Sequence, residues 1–132
     1  MRRTATILAT VILMVAFSSG VALAAYEDSI TGTDQTDILS GTAKAERILG
    51  LGSGDQLNGG GGSDLVKGGR GPDELGDGPG RDIVYGGGGR DIFQPRDLPA
   101  VKDTVDCGPG IDTVYADKAD VVEDNCERVK TR

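Results

Sequence analysis

The chain has 132 residues, of which 22 are glycine and none is histidine, and its formal net charge at pH 7 is −7. This acidic balance disfavours nucleic acid and anionic lipid as partners and favours cations. Because the chain lacks histidine, a G-x-S-x-G nucleophile elbow and a Walker loop, we do not expect an enzyme. The length is that of one small domain.

The N-terminal segment differs from the rest of the chain. Arg2 and Arg3 precede an apolar run over 5–17, and an A-L-A site ends at Ala24. This order is typical of a secretory signal peptide over 1–24, cleaved after Ala24. An uncleaved membrane anchor is the alternative, because the segment is about long enough to cross a bilayer. We expect a secreted protein with no membrane contact after cleavage, and a short lead-in over 25–31.

Seven contiguous nonapeptides of the form G-G-x-G-x-D-x-(apolar)-x fill residues 32–94. The sixth position is always acidic: Asp37, Glu46, Asp55, Asp64, Asp73, Asp82 and Asp91. The eighth is always apolar: Leu39, Ile48, Leu57, Val66, Leu75, Val84 and Phe93. After an insertion at 95–102 the spacing returns as Asp103 with Val105 and Asp112 with Val114.

This period predicts short strands joined by tight glycine turns. Each unit offers one strand with its eighth residue inward, and its glycine half turns because glycine adopts positive φ without steric cost. Two units of opposite facing complete a coil of 18 residues, so the turns form two columns. We therefore predict an all-β fold, a right-handed parallel β-roll or β-solenoid of nonapeptide repeats.

Stacking at about 4.8 Å brings carboxylates 18 residues apart close together. Three pairs follow: Asp55 with Asp73, Asp64 with Asp82, and Asp73 with Asp91. Like charges at that spacing repel by a few kcal/mol at an effective dielectric near 20, and a divalent cation reverses the sign. Calcium suits such turns, because it accepts six or more oxygen ligands in loose geometry. We expect several Ca²⁺ ions, three of them at these pairs, and a largely disordered chain without calcium.

Residues 32–94 resemble the repeats-in-toxin family of calcium-binding β-rolls. The resemblance implies that each Ca²⁺ lies between successive turns of one column and is held by two aspartates and by backbone carbonyls. The carbonyls implied are those of Gly50, Gly52, Gly59, Gly60, Gly61, Gly62, Gly68, Gly69, Arg70, Gly71, Gly78, Gly80, Gly86, Gly87 and Gly89. The chain is expected to be a monomer.

Some turns depart from the family pattern. Turn 41–46 has lost its later glycines and ends in Glu46, so we expect it to cap the stack instead of binding metal. Turn 32–37 keeps Asp37 without the glycines, which leaves a site of Asp37 with Asp55 open. The insertion is expected to damage the pairing of Asp82 with Asp103. A site of Asp91 with Asp112 is expected to survive.

The sequence of residues 103–132 predicts degenerate repeats followed by a C-terminal cap. Solenoids need such a terminal cap to stay soluble. This stretch resembles a segment of secreted actinobacterial proteins that carry such repeats. The chain has two cysteines, Cys107 and Cys126. Because the number is even and the chain is expected to be exported, a disulfide between them is predicted.

Calcium binding that drives folding outside the cell is the function favoured. The alternative is an extracellular adhesion or interaction module that uses the calcium-stabilised solenoid as its binding surface, with an unknown partner. Such a surface calls for an outward row of one residue type, and the seventh position is irregular: Ile38, Arg47, Gln56, Leu65, Glu74, Ile83 and Ile92.

Overall fold

The computed structural model describes residues 26, 28–94 and 101–131. The predicted signal peptide and most of the predicted insertion lie outside the described residues. The described chain forms twelve strands: β1 Asp28–Thr31, β2 Ile38–Ser40, β3 Glu46–Gly52, β4 Gln56–Asn58, β5 Leu65–Arg70, β6 Glu74–Gly76, β7 Ile83–Gly88, β8 Ile92–Phe93, β9 Thr104–Asp106, β10 Thr113–Ala116, β11 Val121–Val122 and β12 Arg128–Thr131. No helix that could cross a bilayer occurs in this part of the chain.

The strands alternate between two parallel six-stranded sheets. One sheet has the order β1-β3-β5-β7-β9-β11, and the other has the order β12-β10-β8-β6-β4-β2. Successive strands of one sheet pair at a shift of 18 residues, as in Ile48 with Val66 and Leu57 with Leu75. The chain is therefore a β-solenoid of about five coils, as the period predicts.

The core is a pair of apolar rows between the sheets. Each central strand alternates exposed and buried residues, as in β4, where only Leu57 of Gln56–Asn58 is buried. All nine residues predicted at the eighth position are buried, with Ile48, Val66 and Val114 fully inaccessible. Ile30 of β1 packs against this core as well, so part of the predicted lead-in is a strand of the first coil.

The insertion leaves the stack in register, which corrects one prediction. β7 pairs β9 through Val84 and Val105, a shift of 21 residues, and β8 pairs β10 through Phe93 and Val114 at the same shift. The backbone N–H of Asp82 donates to Asp103 Oδ1 at 2.8 Å. The expected damage to this pairing is therefore wrong, because the strands after the insertion take their normal places in both sheets.

The tail completes the stack and is tied by the predicted disulfide. β11 and β12 extend the two sheets by one strand each. Cys107 and Cys126 are bonded at an S–S distance of 1.96 Å. Cys107 is fully buried and Cys126 is partly buried against the core. The disulfide therefore fastens the last coil to the one before it, which confirms the disulfide-tied cap.

Backbone conformation in the turns explains much of the glycine content. From Leu51 onward, the second and fourth positions of the described turns have positive φ, as in Gly78 at 82° and Gly80 at 141°. A Cβ on Gly80 would collide with the carbonyl oxygen of Gly62 in the preceding coil. Glycine is thus required at Gly80 both by φ and by the close approach of the coils.

We predict that Gly80→Ala lowers the free energy of unfolding of the calcium-loaded protein by more than about 3 kcal/mol, since strain and a backbone clash combine. Gly88→Ala is the matched control, because a Cβ there meets nothing within 4 Å. It should change stability by less than about 1 kcal/mol. Urea denaturation followed by circular dichroism measures both, and equal losses would contradict the stacking described.

Candidate metal centre

From Asp55 onward, the carboxylate at the end of each nonapeptide turn accepts a hydrogen bond from the coil before it. The backbone N–H of Asp55 donates to Asp73 Oδ1 at 2.9 Å, and that of Asp73 donates to Asp91 Oδ1 at 2.9 Å. In the other column the N–H of Asp64 donates to Asp82 Oδ1 at 2.7 Å. The structure thus brings together the three pairs on which the predicted sites rest. The side chain of each aspartate serves as a rung between two coils.

The second oxygen of these carboxylates is buried and accepts no hydrogen bond. This holds for Oδ2 of Asp55, Asp64, Asp73, Asp91 and Asp112. These side chains are at most 2% exposed. A buried carboxylate oxygen without a donor is costly, and the cost is removed either by a proton or by a cation. Each such oxygen therefore marks a position where positive charge is required.

Backbone carbonyls lie beside these oxygens, at the first position of the turn in the next coil. A Cβ on Gly86 would lie 2.5 Å from Asp91 Oδ2 and 2.5 Å from the Cys107 carbonyl oxygen. At Gly50 it would meet Asp55 Oδ2 and the Gly68 carbonyl oxygen in the same way. Glycine at the first position therefore keeps open a small cradle, which we call the slot, bordered by a carboxylate oxygen and a carbonyl oxygen.

Among the described residues, four slots have a carbonyl oxygen beside a carboxylate oxygen that accepts no hydrogen bond. They are bordered by Asp55 with the Gly68 carbonyl, Asp64 with that of Asp77, Asp73 with that of Gly86, and Asp91 with that of Cys107. Of the predicted carbonyl ligands, Gly68 and Gly86 border these slots, while Gly50 and Gly59 border the corresponding cradles at Asp37 and Glu46. The remaining predicted carbonyls stay predictions.

Burial makes these carboxyls weak acids in the absence of metal. It raises the pKa of Asp73 to about 7, and the charges of Asp91 and Asp55 add to the effect although the Asp55 amide opposes it. Burial likewise raises the pKa of Asp64 and Asp91 to about 6, against the lowering effect of the amides of Glu46 and Asp73. Without a cation, Asp73 therefore keeps its proton up to about neutral pH, and Asp64 and Asp91 keep theirs only in mildly acidic solution.

The nonapeptide pattern does not predict three of the acidic residues in or next to the turns. The side chain of Asp77 lies with Asp82 and Asp103 in a buried group whose carboxylate oxygens are within 4.8 Å of one another. The ladder of amide-to-carboxylate bonds also runs on to Asp120, at 3.2 Å from the Asp103 nitrogen, and to Glu127, at 2.9 Å from the Asp112 nitrogen. Asp77 could have been found, because it is the single acid at the first position of the seven units. Asp120 and Glu127 could not, because the tail breaks the period.

The first two turns hold their acids differently. Asp37 Oδ2 accepts hydrogen bonds from the backbone N–H and the hydroxyl of Thr33 at 2.5 and 3.0 Å. Glu46 accepts from the N–H of Thr42 at 2.9 Å and also from its hydroxyl. Asp37 and Glu46 occupy the ladder, since their amides donate to Asp55 and Asp64 Oδ1 at 2.8 Å. Their carboxylates are nevertheless already satisfied by the protein.

Comparison with known families agrees with the geometry. Residues 40–75 and 77–94 match four copies of a family model described as the RTX calcium-binding nonapeptide repeat. These two segments are therefore RTX calcium-binding repeats, which confirms the resemblance for this part of the chain. RTX repeats bind Ca²⁺ generally. Comparison with curated proteins and with solved structures found no match. The narrower resemblance of the tail to actinobacterial proteins stays a prediction.

We predict that acid stabilises the fold when calcium is removed. The folded-state pKa values of Asp64, Asp73 and Asp91 lie above the ordinary 3.8, so the folded form binds more protons than the unfolded form between about pH 4 and pH 7. Stability without metal is then greatest below pH 4 and falls as pH rises toward 7. Circular dichroism of the full chain in chelator should show more β-structure at pH 5 than at pH 8. Less β-structure at pH 5 would contradict the assignment of these buried acids.

Proposed function

We propose that this chain is a secreted calcium-binding protein whose turns bind Ca²⁺ in the slots and whose coils form fully only when the slots are loaded. The observation that carries the proposal is the set of buried carboxylate oxygens without donors, each beside a backbone carbonyl oxygen. Such oxygens occur at Asp55, Asp64, Asp73 and Asp91, in turns matched by the calcium-binding repeat. Secretion rests on the predicted signal peptide, which stays a prediction.

The donors in the slots favour calcium over other metals. When bound, Ca²⁺ supplies two positive charges and accepts six to eight oxygen ligands at irregular angles. The slots offer carboxylate and carbonyl oxygens only, and both cysteines are consumed by the disulfide. Magnesium demands near-octahedral geometry and gives up its water reluctantly, so fixed backbone carbonyls suit it poorly. Soft metals lack the thiolate or imidazole ligands that they prefer.

The geometry links calcium to folding and not only to binding. Each slot is bordered by groups from two coils, for example Asp55 of one coil and the Gly68 carbonyl of the next. A ligand held there stabilises the stacked form and has no comparable site in the unfolded chain. At a free concentration tenfold above Kd, each slot adds roughly 1.4 kcal/mol. Extracellular calcium modules bind with Kd values of about 10⁻⁴ to 10⁻³ M, so loading would follow export.

The adhesion module remains the second proposal, and the outer surface gives it little support. On the outer face of one sheet, Glu74 accepts hydrogen bonds from the Gln56 and Gln94 side-chain amides, both at 3.2 Å. Ile38 and Ile92 lie in the same outward row as Gln56 and Glu74, so the row mixes apolar and polar groups. No single ligand chemistry is repeated along it.

We predict that calorimetric titration of the full chain at pH 7.5 shows several Ca²⁺ ions bound and no comparable heat with Mg²⁺. Asp73→Asn should bind at least one ion fewer, because Asp73 borders one slot and is the rung of the next. It should also raise the calcium concentration needed for half-maximal folding.

Asp124→Asn is the matched control for that experiment. Asp124 is an exposed acid of the tail, outside the ladder, and the substitution removes the same single charge. The Asp124→Asn variant should bind as many Ca²⁺ ions as the unaltered chain. A wild-type chain that binds no Ca²⁺ at millimolar concentration, or equal losses in both variants, would refute calcium binding in the slots.

A further inference from the structure

The first two turns of the solenoid differ from the later ones in what satisfies the acid. In the later turns the carboxylate oxygen that borders the slot has no donor, as at Asp55 and Asp73. In turn 32–37 it receives both the N–H and the hydroxyl of Thr33, at the second position of the unit. In turn 41–46 the Thr42 N–H donates to the slot-bordering Oε2 of Glu46, and the Thr42 hydroxyl donates to the other oxygen, Oε1. We infer that Thr33 and Thr42 exclude calcium from the first slot of each column. This inference rests on the proposed function, whose calcium sites it restricts to the turns from residue 50 onward.

The two threonine turns are built alike although their sequences differ. The Thr33 hydroxyl donates to Asp37 and accepts the Gln35 N–H at 3.1 Å. The Thr42 hydroxyl donates to Glu46 and accepts the Lys44 N–H at 3.3 Å. Hydroxyls often accept from the N–H two residues on, in a local turn. Two loops with acids of different length reach the same network, so the network is a feature of the turn and not an accident of one side chain.

Backbone conformation separates the two kinds of turn independently. Among the described residues the positive-φ positions begin at Leu51, and none lies in turns 32–37 and 41–46. At three of the positive-φ second positions the N–H donates to another acceptor: Gly60 to Asn58 Oδ1 at 3.1 Å, Gly78 to Asp77 Oδ1 at 2.7 Å and Gly108 to Asp106 Oδ1 at 3.2 Å. In the threonine turns the same N–H points at the acid. The available carboxylate oxygens thus occur in turns with positive φ at the second position, and the satisfied ones occur in the two turns without it.

The cradle itself is present in the threonine turns. A Cβ on Gly32 would lie 2.6 Å from Asp37 Oδ2 and 2.8 Å from the Gly50 carbonyl oxygen, as in the later slots. What differs is the polarity of the donors. An N–H and an O–H aimed at a carboxylate present positive hydrogens to the place where a cation would bind. They satisfy the acid by charge-assisted hydrogen bonds and oppose a cation electrostatically.

The consequence is a stack whose N-terminal end is closed by protein groups and whose middle depends on ions. The backbone amides of Asp37 and Glu46 still join the ladder, since they donate to the side chains of Asp55 and Asp64. The first coil therefore contributes a surface on which the next coil stacks without needing an ion of its own. At the C-terminal end the disulfide of Cys107 with Cys126 holds the last coil in place. Terminal repeats of solenoids commonly differ in this way from central ones.

The first test counts ions in the full chain. The double variant D37N/E46Q should bind the same number of Ca²⁺ ions as the unaltered chain by equilibrium dialysis, whereas D73N binds fewer. Loss of one or two ions in D37N/E46Q overturns the inference while leaving calcium binding itself intact. If the unaltered chain binds none, it is the proposed function that fails.

The second test removes the hydroxyls and does not depend on ion counting. In T33V/T42V the backbone amides at positions 33 and 42 should exchange hydrogen about tenfold faster in calcium-saturated protein, because a charge-assisted bond that orders each turn is lost. T36V is the control, since Thr36 is exposed in the same turn and away from the network. Exchange as slow in T33V/T42V as in T36V would show that the hydroxyls do not hold these turns.

Discussion

This structure depends on buried aspartates in which the protein provides a hydrogen-bond donor to only one of the two carboxylate oxygens. One oxygen of each aspartate accepts the backbone N–H of the preceding coil, as Asp73 does from Asp55. The other, as in Asp73 and Asp91, is buried without a donor. The same side chain therefore joins two coils and creates a demand for positive charge between them. Because the demand recurs in both columns, the proposed function makes stacking and cation binding one process and not two.

Glycine serves this arrangement in two separate ways. At the first position of a turn, its missing Cβ leaves open the cradle between a carboxylate and a carbonyl oxygen, as at Gly50 and Gly86. At the second and fourth positions φ is positive and the missing Cβ lets the coils approach closely, as at Gly78 and Gly80. The apolar core is one residue wide in each sheet and cannot supply such specificity. The turns, more than the core, therefore determine when the chain folds.

Much of the fold could be predicted from the nine-residue period. The buried apolar residues and the acids that link successive coils both recur with that period. The inward residues, the two columns of turns and the pairs Asp55 with Asp73 and Asp64 with Asp82 were all predictable. The tolerance of the insertion was not, because register after a loop is set by strand pairing that the sequence does not display. The threonine networks were missed as well: Thr33 and Thr42 read as lost glycines, and their hydrogen bonds depend on a peptide orientation that only coordinates reveal. Asp77 was missed although the sequence displays it, as the one acid at the first position of the seven units.

The central claim is that loading of the slots and winding of the coils occur together, and compactness measures it most directly. Small-angle X-ray scattering of the full chain at pH 7.5 should give the radius of gyration of an expanded chain in chelator. In millimolar Ca²⁺ it should fall to that of a compact solenoid, and equal Mg²⁺ should leave the chain expanded. A chain that is equally compact in chelator and in calcium would contradict the account, because its buried acids would then be stable without any ion.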